Sequence, residues 1–183
     1  SINDEVVHAP PHPGRKLKEG DIIALDIGLR YKGLCTDMAV TVPVGKVSEK
    51  ALKLIRVTKE SLMAGVDAVR PGAKIREIGR AVQPVVERAG FGVVRALVGH
   101  GVGRAVHEEP SVPNYDDPDM PRVTMKEGMV LAIEPMVTEG SWEVDLGADE
   151  WTFSTEEGSL AAHWELTLVV TQDGYEILTP LPI

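Results

Sequence analysis

The chain is organised around the stretch Gly99-His100-Gly101-Val102-Gly103, and His107 lies seven residues after His100. Four carboxylates interrupt apolar, strand-like runs elsewhere in the sequence: Asp26, Asp37, Glu134 and Glu165. An ionised carboxylate in such a run is costly unless a positive group pairs with it. One imidazole and four carboxylates form a nitrogen- and oxygen-rich ligand set that suits divalent metals. We therefore predict that the rest of the chain is a scaffold that brings these five residues together.

The composition is that of one globular domain. The chain has 183 residues, of which 43% are hydrophobic and only 4% aromatic, so its core must be mainly aliphatic. The formal net charge of −9 argues against nucleic acid or an anionic membrane as the main partner, although an acidic, solvated surface explains the charge equally well. The single cysteine, Cys35, excludes an internal disulfide and favours a cytoplasmic, reducing compartment. No apolar run reaches the roughly 18 residues that a bilayer-spanning helix needs.

Two apolar runs near the start predict a β-hairpin. The nearly continuous run over residues 22–28 predicts a strand buried on both faces, and a second strand is predicted over residues 34–44. With Tyr31-Lys32 as a two-residue loop, Asp26 lies directly opposite Asp37, with Cβ atoms about 5 Å apart. A bulge at the following glycine would shift this register by one residue. Opposed like charges inside a sheet repel, so we interpret the pair as held by a cation; the alternative is that one aspartate caps a turn.

The middle of the chain has helical spacing. One helix is predicted over residues 48–69, with Ser48 as its N-cap, and a second over about residues 74–89. Pro84 lies inside the second and is expected to kink or break it. Residues 108–115 are expected to form an irregular loop.

The remaining apolar runs predict strands. They cover residues 93–98, 129–137, 161–170 and 175–178. Pro135 lacks an N–H, so we expect its strand to end there, to bulge or to lie at an edge.

This ligand set points to hydrolysis. Five ligands exceed what one ion usually takes from a protein, and two ions roughly 3.5–4 Å apart that share carboxylates are the common solution. Such a pair lowers the pKa of a bound water and polarises a carbonyl, which is the chemistry of amide hydrolysis. Glu134 can then serve as the general base, and His107 is free to hydrogen-bond the substrate or a developing oxyanion. Simpler alternatives stay open: a histidine beside glycines is often structural, and His163 and Trp164 are expected to pack or to support the ligands.

Five segments, in order along the chain, carry a family resemblance. They are SINDEVVH (1–8), DIGLRYKGLCTDMAV (26–40), VGHGVGRAVHEEPSVPNY (98–115), AIEPMV (132–137) and GSLAAHWELT (158–167). Together they resemble the type I methionine aminopeptidases of the pita-bread fold. The resemblance implies an α+β fold, in which a curved and mainly antiparallel sheet is covered by helices. It also implies a single metallo-aminopeptidase catalytic domain over residues 1–183.

The resemblance assigns a role to each expected metal ligand. It implies that Asp26 is the terminal ligand of one metal and that Asp37 and Glu165 bridge two metals. It implies that His100 and Glu134 bind the other metal, with Glu134 also acting as the catalytic proton acceptor. The cofactors would be two divalent ions, drawn from Co, Mn, Fe or Zn.

The resemblance also assigns three substrate-contacting residues. His8 and His107 would contact the substrate and support the reaction intermediate, so both count as catalytic and substrate-binding residues. Trp151 would line the pocket for the methionine side chain. The implied reaction removes the first methionine of a nascent polypeptide whose second residue is small, and association with the ribosome is a further expectation. An X-Pro aminopeptidase or dipeptidase of the same fold and a non-catalytic pita-bread binding module are the alternatives.

The sequence departs from the family pattern at several places. Ala9, Val106 and Leu166 stand where a glycine, a bulky apolar residue and a histidine are usual, which bears on the pocket and the ligand surroundings but leaves the five ligand positions intact. The family's N-terminal segment, which precedes the equivalent of Ser1, is also expected to be missing. Where it would pack, we expect an exposed sheet edge.

Overall fold

The computed structural model describes residues 1–120 and 122–180, and within them the named strands pair in an antiparallel manner throughout. The helices are α1 (Glu49–Asp67) and α2 (Arg76–Arg88). The strands are β1 (Glu5–Val7), β2 (Ile22–Tyr31), β3 (Leu34–Pro43), β4 (Gly92–Val93), β5 (Gly99–Gly101), β6 (Glu108–Val112), β7 (Val130–Ile133), β8 (Met136–Thr138), β9 (Val144–Leu146), β10 (Phe153–Thr155), β11 (Ala161–His163), β12 (Leu166–Val170) and β13 (Tyr175–Ile177). Strands and helices are therefore both present, as an α+β fold requires.

The strands form several small sheets rather than one. The largest has the order β13-β12-β7-β5-β6, and two three-stranded sheets have the orders β11-β8-β4 and β1-β10-β9. The β2-β3 hairpin is a sheet of its own. The main core lies between α1, α2 and the largest sheet, and its fully buried side chains include Leu54, Leu62, Ile78, Ile133 and Leu168. Within the described part of the chain, neither helix has the length and apolar character needed to cross a bilayer.

The hairpin turn differs from the sequence-based prediction. Tyr31 pairs with Leu34, so the two-residue loop is Lys32-Gly33 and not Tyr31-Lys32. Both loop residues have positive φ, 50° at Lys32 and 85° at Gly33. Two positive φ values are the requirement of a type I′ turn, whose twist matches that of the flanking strands. The glycine therefore belongs inside the loop, and its place there sets the register of the hairpin.

This register changes how the two aspartates meet. Asp37 lies opposite Gly28, and Asp26 lies opposite Ala39, so the predicted direct pairing of Asp26 with Asp37 is wrong. The two aspartates are diagonal neighbours on the same face of the hairpin. Because the side-chain period of a strand is two residues, this shift of two positions keeps both carboxylates on one face.

The outer half of β2 is exposed. Leu25, Ile27, Leu29 and Tyr31 retain 51–68% of their accessible surface. Within the described residues, the far edge of β2 is paired only by an isolated bridge between Ile2 and Ile23, so this edge of the hairpin is open. The prediction of a strand buried on both faces is therefore wrong, because an apolar run does not by itself supply the elements that would cover it.

The two helices lie close to their predicted positions. The Ser48 hydroxyl accepts a hydrogen bond from the Ala51 N–H at 3.1 Å, which is the predicted N-cap of α1. Helix α2 runs continuously through Pro84, so the proline does not break it. Pro84 and Arg80 both lie on the exposed side of α2, where water can satisfy the Arg80 carbonyl that the proline leaves without an N–H.

Several predicted segments differ from the observed elements. The strand predicted over residues 93–98 is reduced to β4, and residues 94–98 lie outside the strands. Residues 108–112 form β6 and not a loop. The predicted strand over residues 161–170 is divided into β11 and β12 by Trp164 and Glu165, and the strand over residues 129–137 is divided into β7 and β8 at Glu134-Pro135. The strand therefore ends before Pro135, one of the three outcomes expected there.

Candidate metal centre

The structure brings together the five residues that the sequence singled out as ligands. Three overlapping groups each place one ligand atom per residue within 4.8 Å of the others. The groups are Asp26, Asp37 and Glu165; His100, Glu134 and Glu165; and Asp37, His100 and His107. Asp37, Glu165 and His100 each occur in two groups, so these two carboxylates and the imidazole lie in the middle of the cluster.

The two glutamates face each other across a break in the sheets. Ile133 pairs with Leu166 on one side of the break, and Met136 pairs with His163 on the other. The register is the same on both sides, so Glu134 lies opposite Glu165 at the point where the paired strands pass from the largest sheet to the β11-β8-β4 sheet. Both carboxylates are buried, with 7% and 2% of their surface exposed. Like charges so placed repel unless a cation lies between them.

His100 presents an unprotonated nitrogen to this cluster. Its Nδ1 lies 2.9 Å from the carbonyl oxygen of Gly101, and because a carbonyl only accepts, Nδ1 carries the proton. The Nε2 of the neutral ring then carries a lone pair. This Nε2 lies 3.3 Å from Glu134 Oε1 and 3.9 Å from oxygens of Asp37 and Glu165. A lone pair aimed at carboxylate oxygens is unfavourable unless a cation binds them jointly, and a backbone-anchored Nδ1 is the usual arrangement of a metal-binding imidazole.

The glycines beside His100 are required by close backbone contacts. A Cβ added at Gly99 would lie 2.4 Å from the carbonyl oxygen of Ala132, and one at Gly101 would lie 2.4 Å from that of Glu109. Any larger residue would push β5 away from β6 or β7. The Gly-His-Gly sequence thus lets a buried histidine lie between two neighbouring strands.

The electrostatics of the cluster favour neutral side chains in the absence of a cation. The pKa of Glu134 is raised to about 8, mainly by burial; the nearby carboxylates of Asp26 and Asp37 contribute to the rise, and His100 opposes it. Burial also raises the pKa of Glu165, with Glu134 as the next cause, and raises that of Asp37. Burial lowers the pKa of His100. Each shift means that the neutral form of the group is favoured. This is expected where several buried groups have no compensating charge beside them.

The residues present fit divalent metal ions. Within the described chain, the ion-pair partners of Asp37, Glu134 and Glu165 are histidines, with neither lysine nor arginine among them. Glu165 Oε1 is buried and has no hydrogen-bond partner among the described residues. Buried polar atoms are normally satisfied, so an orphaned carboxylate oxygen beside three others indicates an absent cation.

The three predicted substrate-contacting residues lie around the cluster. The ring of His107 packs edge-on against that of His100, with centroids 4.2 Å apart. A cleft of about 410 Å³ is lined by His8, His100, His107 and Glu134. His8 and His107 also line a second cleft of about 920 Å³, which includes Asp26 and Trp151. The Trp151 side chain is 65% exposed there.

Three further buried residues, which the sequence did not predict as ligands, lie next to the ligands or to their neighbours. His163 was expected to pack or to support the ligands; it is 1% exposed, and its Nε2 lies 3.6 Å from Glu134 Oε2. Burial lowers its pKa to about 4. Thr41 and Thr167 were not singled out, although both are buried in apolar strands close to the ligands. The sequence signal that could have found them is a threonine within an apolar, strand-like run, because its hydroxyl requires a hydrogen-bond partner once it is buried.

Comparison with known proteins agrees with this geometry. The model of metallopeptidase family M24 matches residues 1–172. A methionine aminopeptidase of Clostridium acetobutylicum is 48% identical over 180 residues, which are 98% of this chain and 71% of that protein. The crystal structure of the Thermotoga maritima methionine aminopeptidase superposes with a TM-score of 0.94 at 46% identity, over 99% of this chain and 72% of that one. The prolidase of Pyrococcus horikoshii gives a TM-score of 0.75 at 25% identity, over 99% of this chain and 47% of that one. The expected pita-bread architecture is thereby confirmed, and the chain belongs to metallopeptidase family M24.

Proposed function

We propose that this chain is a methionine aminopeptidase, which hydrolyses the first peptide bond of polypeptides that begin with methionine followed by a small residue. The observation that carries the proposal is the cluster of four carboxylates and one unprotonated imidazole nitrogen beside an open cleft. Membership of family M24 and the names of the most similar relatives support the same activity. We assign the activity to one catalytic domain that spans residues 1–183.

The arrangement of the cluster supports two divalent ions. Asp26, Asp37 and Glu165 would hold one ion, while His100, Glu134 and Glu165 would hold the other. We assign Asp37 and Glu165 to both ions, and this assignment is supported by the membership of each carboxylate in two of the groups. When bound, the ions would lower the pKa of a coordinated water and polarise the carbonyl oxygen of the scissile amide. Co, Mn, Fe and Zn all suit this ligand set, and we propose no preference among them.

The side chains around the cluster have distinct tasks in the reaction. Glu134 accepts the proton of the attacking water and can pass it to the leaving amine, since its carboxylate lines the smaller cleft. His107 donates a hydrogen bond to the oxygen on which negative charge develops. His8, on the same cleft, contacts the peptide. Trp151 offers its ring in the larger cleft as an apolar surface for the methionine side chain.

The alternative activities are less well supported. An X-Pro peptidase would share the fold, but the prolidase is only 25% identical and this chain spans 47% of it, against 46% and 72% for the methionine aminopeptidase. A non-catalytic binding module would have no need of the ligand cluster, whereas this chain has side chains at all five expected ligand positions.

The partner in this proposal is the N-terminus of a peptide or of a nascent polypeptide. Its ammonium group is cationic, and the net charge of −9 favours its approach. We further propose a cytoplasmic location and association with the ribosome as the source of this substrate. The same negative charge disfavours direct contact with RNA, so a protein of the ribosome would be the contact. Co-sedimentation with ribosomes, with and without a salt wash, tests this part separately.

The activity is tested with defined peptides. The metal-free chain is loaded in turn with Co²⁺, Mn²⁺, Fe²⁺ or Zn²⁺, and the release of methionine from Met-Ala-Ser is measured, with Ala-Pro as the competing substrate. We expect cleavage of Met-Ala-Ser only, two ions per chain by elemental analysis, and loss of activity in Asp37→Asn. Preferential cleavage of Ala-Pro, or no cleavage with any of the four ions, would contradict the proposal.

A further inference from the structure

The β2-β3 hairpin carries two of the proposed ligands, yet it is separate from the sheets that carry the other three. Asp26 and Asp37 lie on the hairpin, whereas His100, Glu134 and Glu165 lie on or between strands of the larger sheets. The geometry of the whole cluster therefore depends on how the hairpin is attached to the rest of the molecule.

One attachment is a short antiparallel pairing between β3 and the break that contains Glu165. The Glu165 N–H donates to the Ala39 carbonyl oxygen at 2.9 Å, and the Ala39 N–H donates to the Glu165 carbonyl oxygen at 3.3 Å. This isolated bridge is the centre of the attachment. On either side of it, the two backbones no longer bond to each other directly.

Two threonine hydroxyls replace the missing backbone bonds. Thr167 Oγ1 accepts from the N–H of Asp37 at 2.9 Å and donates to the carbonyl oxygen of Asp37 at 2.7 Å. Thr41 Oγ1 accepts from the N–H of His163 at 2.8 Å and donates to the carbonyl oxygen of His163 at 2.8 Å. Each hydroxyl thus takes both bonds of a single residue on the opposite strand. The two contacts lie symmetrically, two residues to either side of the Ala39–Glu165 bridge.

These hydroxyls are fixed in place. Thr167 is fully buried and Thr41 is 1% exposed. A hydroxyl has one proton to donate, so its rotor is locked once it donates to a carbonyl. Removing either hydroxyl would leave a buried N–H and a buried carbonyl without partners, which is costly, because water cannot easily replace it in so enclosed a position.

Both hydroxyls act on residues at the metal centre. Thr167 holds the backbone of Asp37, and it lies two residues after Glu165. Thr41 holds the backbone of His163, which lies two residues before Glu165 and whose ring faces Glu134. The distance between Asp37 and Glu165 therefore depends on how β3 is attached to the segment around Glu165. On both sides of the central bridge, this attachment consists of bonds from threonine hydroxyls to the backbone.

We propose that Thr41 and Thr167 are positioning residues that set the spacing of Asp37 and Glu165, and so hold the two halves of the metal centre in register. This inference rests on the proposed function only in taking these carboxylates as metal ligands. Neither threonine is a candidate ligand, and neither lines either of the two clefts. They set the distance between ligands that belong to different sheets. Their loss should therefore weaken metal binding more than it lowers the stability of the fold.

The test compares Thr167→Val with Thr58→Val in the 183-residue chain. Valine keeps the shape of threonine and removes the hydroxyl. Thr58 is a matched control, because it is fully buried and its hydroxyl donates to the Leu54 carbonyl oxygen at 2.8 Å, but it lies in α1, which carries none of the proposed ligands. Co²⁺ alone is titrated into the metal-free proteins by calorimetry, and the urea unfolding midpoint without metal is recorded. Thr41→Val is measured in parallel as the second variant.

We expect Thr167→Val and Thr41→Val to bind Co²⁺ roughly 10- to 100-fold more weakly, as is typical when a group that orients a metal ligand is removed. Thr58→Val should bind Co²⁺ within about twofold of the unmodified chain, and Thr167→Ser, which keeps the hydroxyl, should recover most of the affinity. If both site variants bind Co²⁺ like the unmodified chain, or if Thr58→Val loses as much affinity as they do, the inference is wrong. Failure of the unmodified chain itself to bind Co²⁺ would instead overturn the proposed function.

Discussion

At the scale of single residues, the candidate site is built from groups that would be unstable alone. Glu165 Oε1 is buried without a hydrogen bond, and Glu134 has a pKa raised to about 8. His100 directs an unprotonated nitrogen at both. Each of these features is unfavourable in isolation, and divalent cations would relieve all of them together.

His107 provides the first prediction at this scale. It is exposed at the cleft and packs against His100, but we assign it to the substrate and not to the metals. His107→Ala should therefore lower kcat for Met-Ala-Ser about 100-fold, since one lost donor to a developing oxyanion has an effect of this order. The number of Co²⁺ ions bound per chain should stay the same. Lys46→Ala, at an exposed side chain that lines neither cleft, is the control and should leave kcat unchanged. Loss of one bound ion in His107→Ala would show that His107 is a ligand instead.

The register of the hairpin explains one limit of the sequence at the scale of elements. Tyr31-Lys32 and Lys32-Gly33 are neighbouring candidates for a two-residue loop, and alternating side chains do not choose between them. The choice comes from backbone conformation, because a type I′ turn needs positive φ at both positions and glycine accepts this most easily. Gly33 decides the register of the hairpin. The conformational requirement of the turn therefore predicts the loop here, whereas the alternation of side chains along the strands does not.

The turn gives a prediction at the same scale. Gly33→Ala places a Cβ at a φ of 85° and should lower the free energy of unfolding by about 1 kcal/mol. Lys32→Asn should leave it unchanged or raise it slightly, because asparagine tolerates the positive φ of that position better than lysine does. Urea unfolding of the two variants measures both effects. Equal destabilisation by the two substitutions would contradict the assignment of a type I′ turn.

The two most apolar strands differ in a way that the sequence does not reveal. Residues 22–28 and 130–133 are both nearly continuous apolar runs, but Ile27 in β2 is 61% exposed, while Ile133 in β7 is fully buried. Ile133 is covered by α1, where an added Cβ at Gly65 would lie 3.3 Å from Ile133 Cγ2, whereas the outer half of β2 has no such cover. Apolar content indicates which strands can be buried, and only the packing of other elements decides which ones are.

This difference is tested by a pair of alanine substitutions. Ile133→Ala should lower the free energy of unfolding by about 2–5 kcal/mol, the usual cost of removing a buried isoleucine side chain. Ile27→Ala should change it by less than about 0.5 kcal/mol, since an exposed side chain loses little on truncation. Chemical denaturation of both variants in the metal-free state makes the comparison. A large loss in Ile27→Ala would mean that this face of β2 is covered in solution.

At the scale of the whole molecule, the ligand residues could be named from the sequence, but their geometry could not. Carboxylates in apolar runs and the family resemblance identified the set. Three features of the arrangement depend on contacts between distant strands: the opposition of Glu134 and Glu165 at a break between two sheets, the diagonal placement of the aspartates, and the threonine contacts that join the hairpin to the rest. Local spacing along one strand carries no information about such contacts, because they are set by where separate sheets meet.

The stability of the whole molecule is expected to depend on pH, because protonation of the site and metal binding are both coupled to folding. In the metal-free chain, the folded-state pKa of Glu134 is about 8, against 4.5 for an unperturbed glutamate. Between pH 7 and pH 8 the folded state therefore holds a proton that the unfolded state lacks, so unfolding becomes easier as the pH rises, by up to about 1.4 kcal/mol per pH unit for one proton. The buried His163 acts weakly in the opposite direction near pH 7, because its folded-state pKa is about 4 while an unperturbed histidine, with a pKa of 6.5, is still partly protonated there.

We expect this dependence to shrink both in Glu134→Gln and when the metals bind. The N-terminal amino group of Ser1, whose pKa is lowered by burial, acts in the opposite direction, so the slope of the unmodified chain is compared with that of Glu134→Gln. With saturating Mn²⁺ the carboxylates are ionised in the folded state as they are in the unfolded state, so Glu134 then contributes nothing to the slope. Urea unfolding at pH 7.0, 7.5 and 8.0, with a chelator or with Mn²⁺, measures all three slopes. Identical slopes for the metal-free chain and its Glu134→Gln variant would mean that Glu134 is already ionised in the folded state, and the electrostatic basis of the metal centre would then be wrong.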